Sequence, residues 1–149
     1  MTVQERIEAI KQFHEQEGRR HAAEWERQRQ EDLASWKDVL RTLTHSVQRV
    51  SEDFAGRGSP LLFSSVPVLT EGNAVFRIKT IEGIRLSAKL QFDLIDGQVT
   101  ASAIGADVSL PSSVPVGDVT REWIELVAER VLIAVLNDRS KKEPHGGAQ

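Results

Sequence analysis

Between Gly83 and Gly97 the chain alternates almost without interruption: Ile84, Leu86, Ala88, Leu90, Phe92 and Leu94 fall on one side, and Arg85, Ser87, Lys89, Gln91 and Asp93 on the other. A period of two predicts a β-strand with one face in a core and the other turned away from it. The same reading, carried outward, gives four strands between 61 and 108. LLFSSVPVL (61–69) and AVFRIKT (74–80) flank the turn-like TEGN, and the long strand leads through Asp96-Gly97 into QVTASAIGADV (98–108). Asp-Gly between alternating strands signals a two-residue hairpin loop, which sets Leu94 opposite Val99, Phe92 opposite Ala101 and Leu90 opposite Ala103. At the preceding hairpin, a two-residue Glu82-Gly83 loop would put Lys79 opposite Leu86 on the core face. A three-residue loop, Ile81-Glu82-Gly83, instead pairs Ile78 with Leu86 and Phe76 with Ala88, and gives Gly83 the left-handed position that favours glycine. The three-residue loop is predicted. Pro67 has no N–H to donate, so the first strand belongs at an edge.

On either side of the strands the period changes to that of a helix. From Val3 to about Phe54 there is no Pro and a single Gly, and Leu33, Trp36, Leu40, Leu43, Val47, Val50 and Phe54 recur at spacings of three and four. Gly56, Gly58 and Pro60 end that helix. Val3, Ile7, Ile10 and Phe13 form a shorter stripe out of phase with the later one, and between 15 and 32 Trp25 is the only large apolar residue. So long a helix would span ~78 Å, twice the ~40 Å of a twelve-residue strand, so its first half must project, kink or pack on another chain. After a loop at 109–117, Asp118 or Thr120 can cap a C-terminal helix to about Asn137 that is apolar on nearly every side. Beyond it, RSKKEPHGGAQ reads as a disordered tail.

The predicted architecture is α+β: a long N-terminal helix, a four-stranded antiparallel meander and a C-terminal helix, in a two-layer sandwich of order α-β-β-β-β-α. Residues 1–32 form a helical arm, 33–138 a single domain and 139–149 the tail. Length supports this, since 149 residues suit one domain with a real core. Cysteine is absent, which excludes disulfides, thiolate metal cages and a Cys nucleophile and points to an intracellular, cytoplasmic protein. Neither a signal peptide nor a membrane span is read. The net charge of −3 is spread evenly over the chain, which makes nucleic acid and membrane surfaces unpromising partners.

Charge matters more locally. Arg77, Lys79, Arg85 and Lys89 are the only Lys or Arg residues between 58 and 117, and the register puts all four on the uncovered sheet face, with Lys79 opposite Arg85. That face is a candidate surface for an anion or an acidic partner, with Asp93 and neighbouring acids as the counter-charges that would make it merely solvated. It carries no stacking aromatics, unlike sheets that bind single-stranded nucleic acid. His14, Glu17 and His21 share roughly one side of the arm, but solvent, Arg19 and Arg20 and the missing fourth ligand argue against a metal, so no cofactor is expected. The signs of charge on the arm are mixed, as on an exposed helix.

No phosphate loop, zinc-binding helix motif or nucleophile elbow occurs, and no catalytic set is read. Small acidic dimeric chaperones of secreted effectors are similar in size and charge but interpose a helix between strands; a chaperone-like role is a runner-up. The leading expectation is a non-enzymatic protein-binding or adaptor module that self-associates, as a homodimer, through Ile7, Ile10, Phe13, Trp25, Leu132 and Leu136. The rival is a small-ligand or anion-binding domain using Arg77, Lys79, Arg85 and Lys89.

Overall fold

The computed structural model describes residues 2–142, with side chains through Arg139. The chain divides between Ala34 and Ser35 into two units. Helix α1 (Val3–Gly56) supplies all the secondary structure of the first and the opening element of the second. It starts on a capping box: the Glu5 N–H donates to Thr2 Oγ1 and the Thr2 N–H to the Glu5 carboxylate, both at 3.2 Å. Along the first unit Val3, Ile7, Ile10, Phe13 and Trp25 are exposed, and Leu33, next to the second unit in sequence, is half-buried.

The second unit is α+β, as its periodicities require. Among the described residues six strands form one antiparallel sheet: β1 (Leu61–Phe63), β2 (Val68–Thr70), β3 (Asn73–Thr80), β4 (Arg85–Ile95), β5 (Gln98–Ile104) and β6 (Val114–Pro115). Their order is β1-β3-β4-β5-β6, with β2 also on β3. The expected four strands become six for two local reasons. The stretch 61–69 breaks at 64–67, where four residues including Pro67 span only two positions of β3, between Phe63 opposite Ile78 and Val68 opposite Val75. The broken strand remains at the edge, where a residue without an N–H costs least. At the other edge, Val114 and Pro115 of the expected loop pair with Val99 and Gln98.

The long hairpin follows its sequence signal. Asp96 and Gly97 both take positive φ, 50° and 74°, and Leu94 pairs with Val99, Phe92 with Ala101 and Leu90 with Ala103. In the β3–β4 hairpin the Thr80 N–H donates to the Ile84 carbonyl at 2.8 Å, enclosing Ile81-Glu82-Gly83 with Gly83 at φ 97°. Ile84 therefore ends in the loop rather than in the core, 65% exposed.

One core joins the inner sheet face to both helices. Phe63, Phe76, Ile78, Leu90, Phe92 and Val99 meet Trp36, Leu43, Val47 and Val50 of α1, and Ile124, Val127, Val131 and Leu132 of α2 (Arg121–Lys142). Polar pins fix the layers, with the Trp36 indole N–H donating to the Thr70 carbonyl at 3.1 Å and the Phe63 N–H to Ser51 Oγ at 2.9 Å. Helix α2 starts on Thr120, whose hydroxyl accepts the Trp123 N–H at 3.2 Å, and continues to Lys142, five residues past the expected end at Asn137. Of the tail expected from 139, residues 143–149 lie outside the described residues.

Candidate functional site

The outer sheet face is set by β3 and β4. Because side chains alternate, burying Ala74, Phe76, Ile78, Ala88, Leu90 and Phe92 turns Arg77, Lys79, Arg85 and Lys89 the other way. The structure brings all four together. Lys79 lies opposite Arg85, as read from the sequence, and Arg77 lies opposite Lys89, which was not. The register shifts between Arg77 and Lys79, where β4 contributes three intervening residues against one from β3. A shift of two keeps the parity of the faces, so this bulge alters the pairing without moving a cation into the core. Two like-charged pairs then face each other across one ladder, each destabilising by a few tenths of a kcal/mol, ~0.2–1.

The expected counter-charges are engaged elsewhere. Asp93 accepts from Asn73 Nδ2 at 2.6 Å and from Gln91 Nε2 at 3.0 and 3.2 Å. It also sits four residues from Lys89 along β4, ~13 Å at ~3.4 Å per residue, beyond the ~8 Å over which exposed charges interact at physiological salt. The Glu82 carboxyl is held below its ordinary range first by its own backbone N–H and then by the Thr80 hydroxyl, with Arg139 adding a weaker pull. None of the four cationic side chains makes an ion pair or hydrogen bond among the described residues. Apolar shoulders flank them: Leu62 lies opposite Lys79, and Ile104, 40% exposed, opposite Lys89. The alternation already contained Gln91 as an outer-face residue, but Asn73 was read in the turn TEGN rather than as the first residue of β3, and nothing in the sequence told that the two amides would take Asp93.

The second candidate surface lies on the first unit. Ile7, Ile10, Phe13 and Trp25 are 48%, 57%, 60% and 65% exposed. Ile7 and Trp25 are 18 residues apart, five full turns at ~3.6 residues each, and so share one side of the helix. Trp25 carries the Arg29 guanidinium 5.7 Å from its ring centre. Glu17 pairs loosely with Arg20 at 3.8 Å and with His21 at 3.7 Å. Among the described residues no group of three His, Asp or Glu side chains is placed to hold a metal.

The C-terminal part of the expected contact is different. Leu132 is fully buried in the chain's own core, because it falls with Ile124, Val127, Ala128, Val131 and Val135 on the inward side of α2, so it is unavailable to a second copy. Leu136 is half-buried against the same core. The exposed apolar residues of α2 are Leu126 and Ile133. A shallow groove of about 550 Å³ between Leu40, Thr44 and Gln48 of α1 and Ser65 and Leu69 was not foreseen.

Among the described residues no helix is long and apolar enough to cross a membrane. No protein family, characterised protein or solved structure matches the chain.

Proposed function

We propose that the protein is a non-enzymatic, cytoplasmic protein-binding module that self-associates as a dimer through its N-terminal helix. The observation that carries this reading is the exposed stripe of Ile7, Ile10, Phe13 and Trp25 on a helical segment with no apolar cover. Helices are marginal in water on propensity alone and take most of their stability from packing an apolar side, so this stripe is best satisfied by a partner. A second copy suits it. Residues 1–34 carry six basic and eight acidic side chains of interleaved sign, which two such helices can match against each other. The mixed signs give no reason to expect a strongly charged partner on this segment. Absence of cysteine supports the cytoplasmic placement.

Light scattering over a micromolar concentration series tests the dimer. The mass should rise from 16.6 kDa towards twice that value with concentration, and Ile7→Asp with Ile10→Asp should hold it at the monomer value. A wild-type chain that stays monomeric throughout would refute the reading.

A further inference from the structure

We infer that the outer face of the sheet is a docking surface for an extended acidic segment of a partner protein, gripped by the opposed pairs Arg77–Lys89 and Lys79–Arg85. Four cations in two facing rows, with no acid among the described residues paired to any of them, form a concentrated positive patch on a molecule whose net charge is −3. Since facing cations weaken the ladder that holds them, the arrangement costs stability and gains an electrostatic partner only when an anion arrives.

The spacing of the rows suits an extended acidic peptide, and the apolar flanks, the lack of aromatic rings and the acidity of the chain favour it over a polynucleotide. The rows are two residues apart on β3, ~7 Å, which is the separation of carboxylates at i and i+2 on one side of an extended chain. Leu62 and Ile104 extend the two rows with apolar contact area that a peptide's side chains use and a phosphate backbone does not. The face has no aromatic ring on which a base can stack, and the overall acidity of the chain opposes a long polyanion.

The bulge between Arg77 and Lys79 serves this geometry. It allows both cationic pairs to stand directly across from one another while keeping Ile78 and Ala88 in the core. The inference does not depend on the dimer, because its readout is peptide capture rather than mass.

The test uses the full chain and a fluorescein-labelled decapeptide of alternating Glu and Ser, followed by anisotropy at low salt. Binding is expected, weakening as salt rises. Arg85→Glu with Lys89→Glu should reduce affinity by about tenfold or more, as expected for reversing charges at a binding face. It should also raise the melting temperature, because both like-charged cross-strand pairs become pairs of opposite sign. Lys37→Glu with Arg41→Glu changes net charge equally on exposed positions of α1 and should alter affinity by less than about twofold, as for charges remote from contact. The inference is overturned if the wild type does not bind the peptide, or if the α1 reversals weaken it as much as the sheet reversals. A short DNA duplex bound more tightly than the peptide would also overturn it.

Discussion

Two buried serines on α1 show how a hydroxyl in a core is either useful or a burden. Ser51 Oγ accepts the Phe63 N–H of edge strand β1 at 2.9 Å, whereas the Ser46 hydroxyl is buried with no hydrogen-bond partner among the described residues. Removing Ser51 Oγ strands a backbone donor, so Ser51→Ala should cost about 1–3 kcal/mol, while Ser46→Ala removes only a desolvation penalty and should be neutral or stabilising. Urea unfolding of the two variants measures this; equal losses would show that volume, not hydrogen bonding, governs both sites. Neither serine was legible beforehand, because a hydrophobic stripe is counted from apolar residues. The same blindness passed over the helix start, although Thr2 and Glu5 carry the spacing of a capping box. At the sheet face, charge and alternation were enough to select Arg77, Lys79, Arg85 and Lys89. The fate of Asp93 was not legible, since it depends on Asn73 arriving from a neighbouring strand, a cross-strand contact fixed only once the register is known.

Among the elements, local turn chemistry read true and long-range register less so. Asp96-Gly97 and Gly83 fixed both hairpin loops, and Leu94–Val99 beside the one and Lys79–Arg85 beside the other followed, whereas the expected Ile78–Leu86 pair is lost to the register shift. Beyond that shift Phe76, three residues from Lys79 along β3, lies opposite Leu90 rather than Ala88, because a bulge is not written in the alternating pattern. What packs there is Gly105 at the end of β5. A Cβ on Gly105 would lie 3.1 Å from Ala88 Cα and 3.3 Å from Ala88 N, and its φ is +77°. The β4 bulge and the β5 terminus thus fit together only around a residue without a side chain. Gly105→Ala should therefore destabilise by about 1–3 kcal/mol through strain and backbone contact, whereas Gly117→Ala, with nothing within 4 Å, should stay within about 0.5 kcal/mol. Thermal melts compare them, and a Gly105→Ala chain as stable as the Gly117 variant would show that the backbone yields there at little cost. Helix α2 gives the opposite lesson to the hairpins. Its sequence is so uniformly apolar that periodicity assigned no inner side, and the choice between Leu132 and Ile133 fell to the packing of the sheet.

For the molecule as a whole, the division of labour between its two units follows from where the core residues lie. Every member of the core cluster falls between Trp36 and Val135, so a chain beginning at Leu33 retains all of them, together with the four cations of the sheet. The arm contributes exposed apolar surface and no core residue. Deleting residues 1–32 should therefore leave a domain with cooperative unfolding and a native near-ultraviolet spectrum, because stability resides in buried apolar area and not in helix length. It should remove self-association at micromolar concentration, and it should leave capture of an acidic peptide intact, because Arg77, Lys79, Arg85 and Lys89 remain on their ladder. Sedimentation equilibrium, circular dichroism and peptide anisotropy on the same preparation separate these outcomes. A truncated chain that stays dimeric would move the contact between copies from the arm to the domain, where Leu126 and Ile133 are the exposed apolar residues of α2. Asp at both of those positions would then have to dissolve the dimer, while Asp at the neighbouring Leu132 would unfold the domain, since it introduces an unpaired charge into a fully buried site.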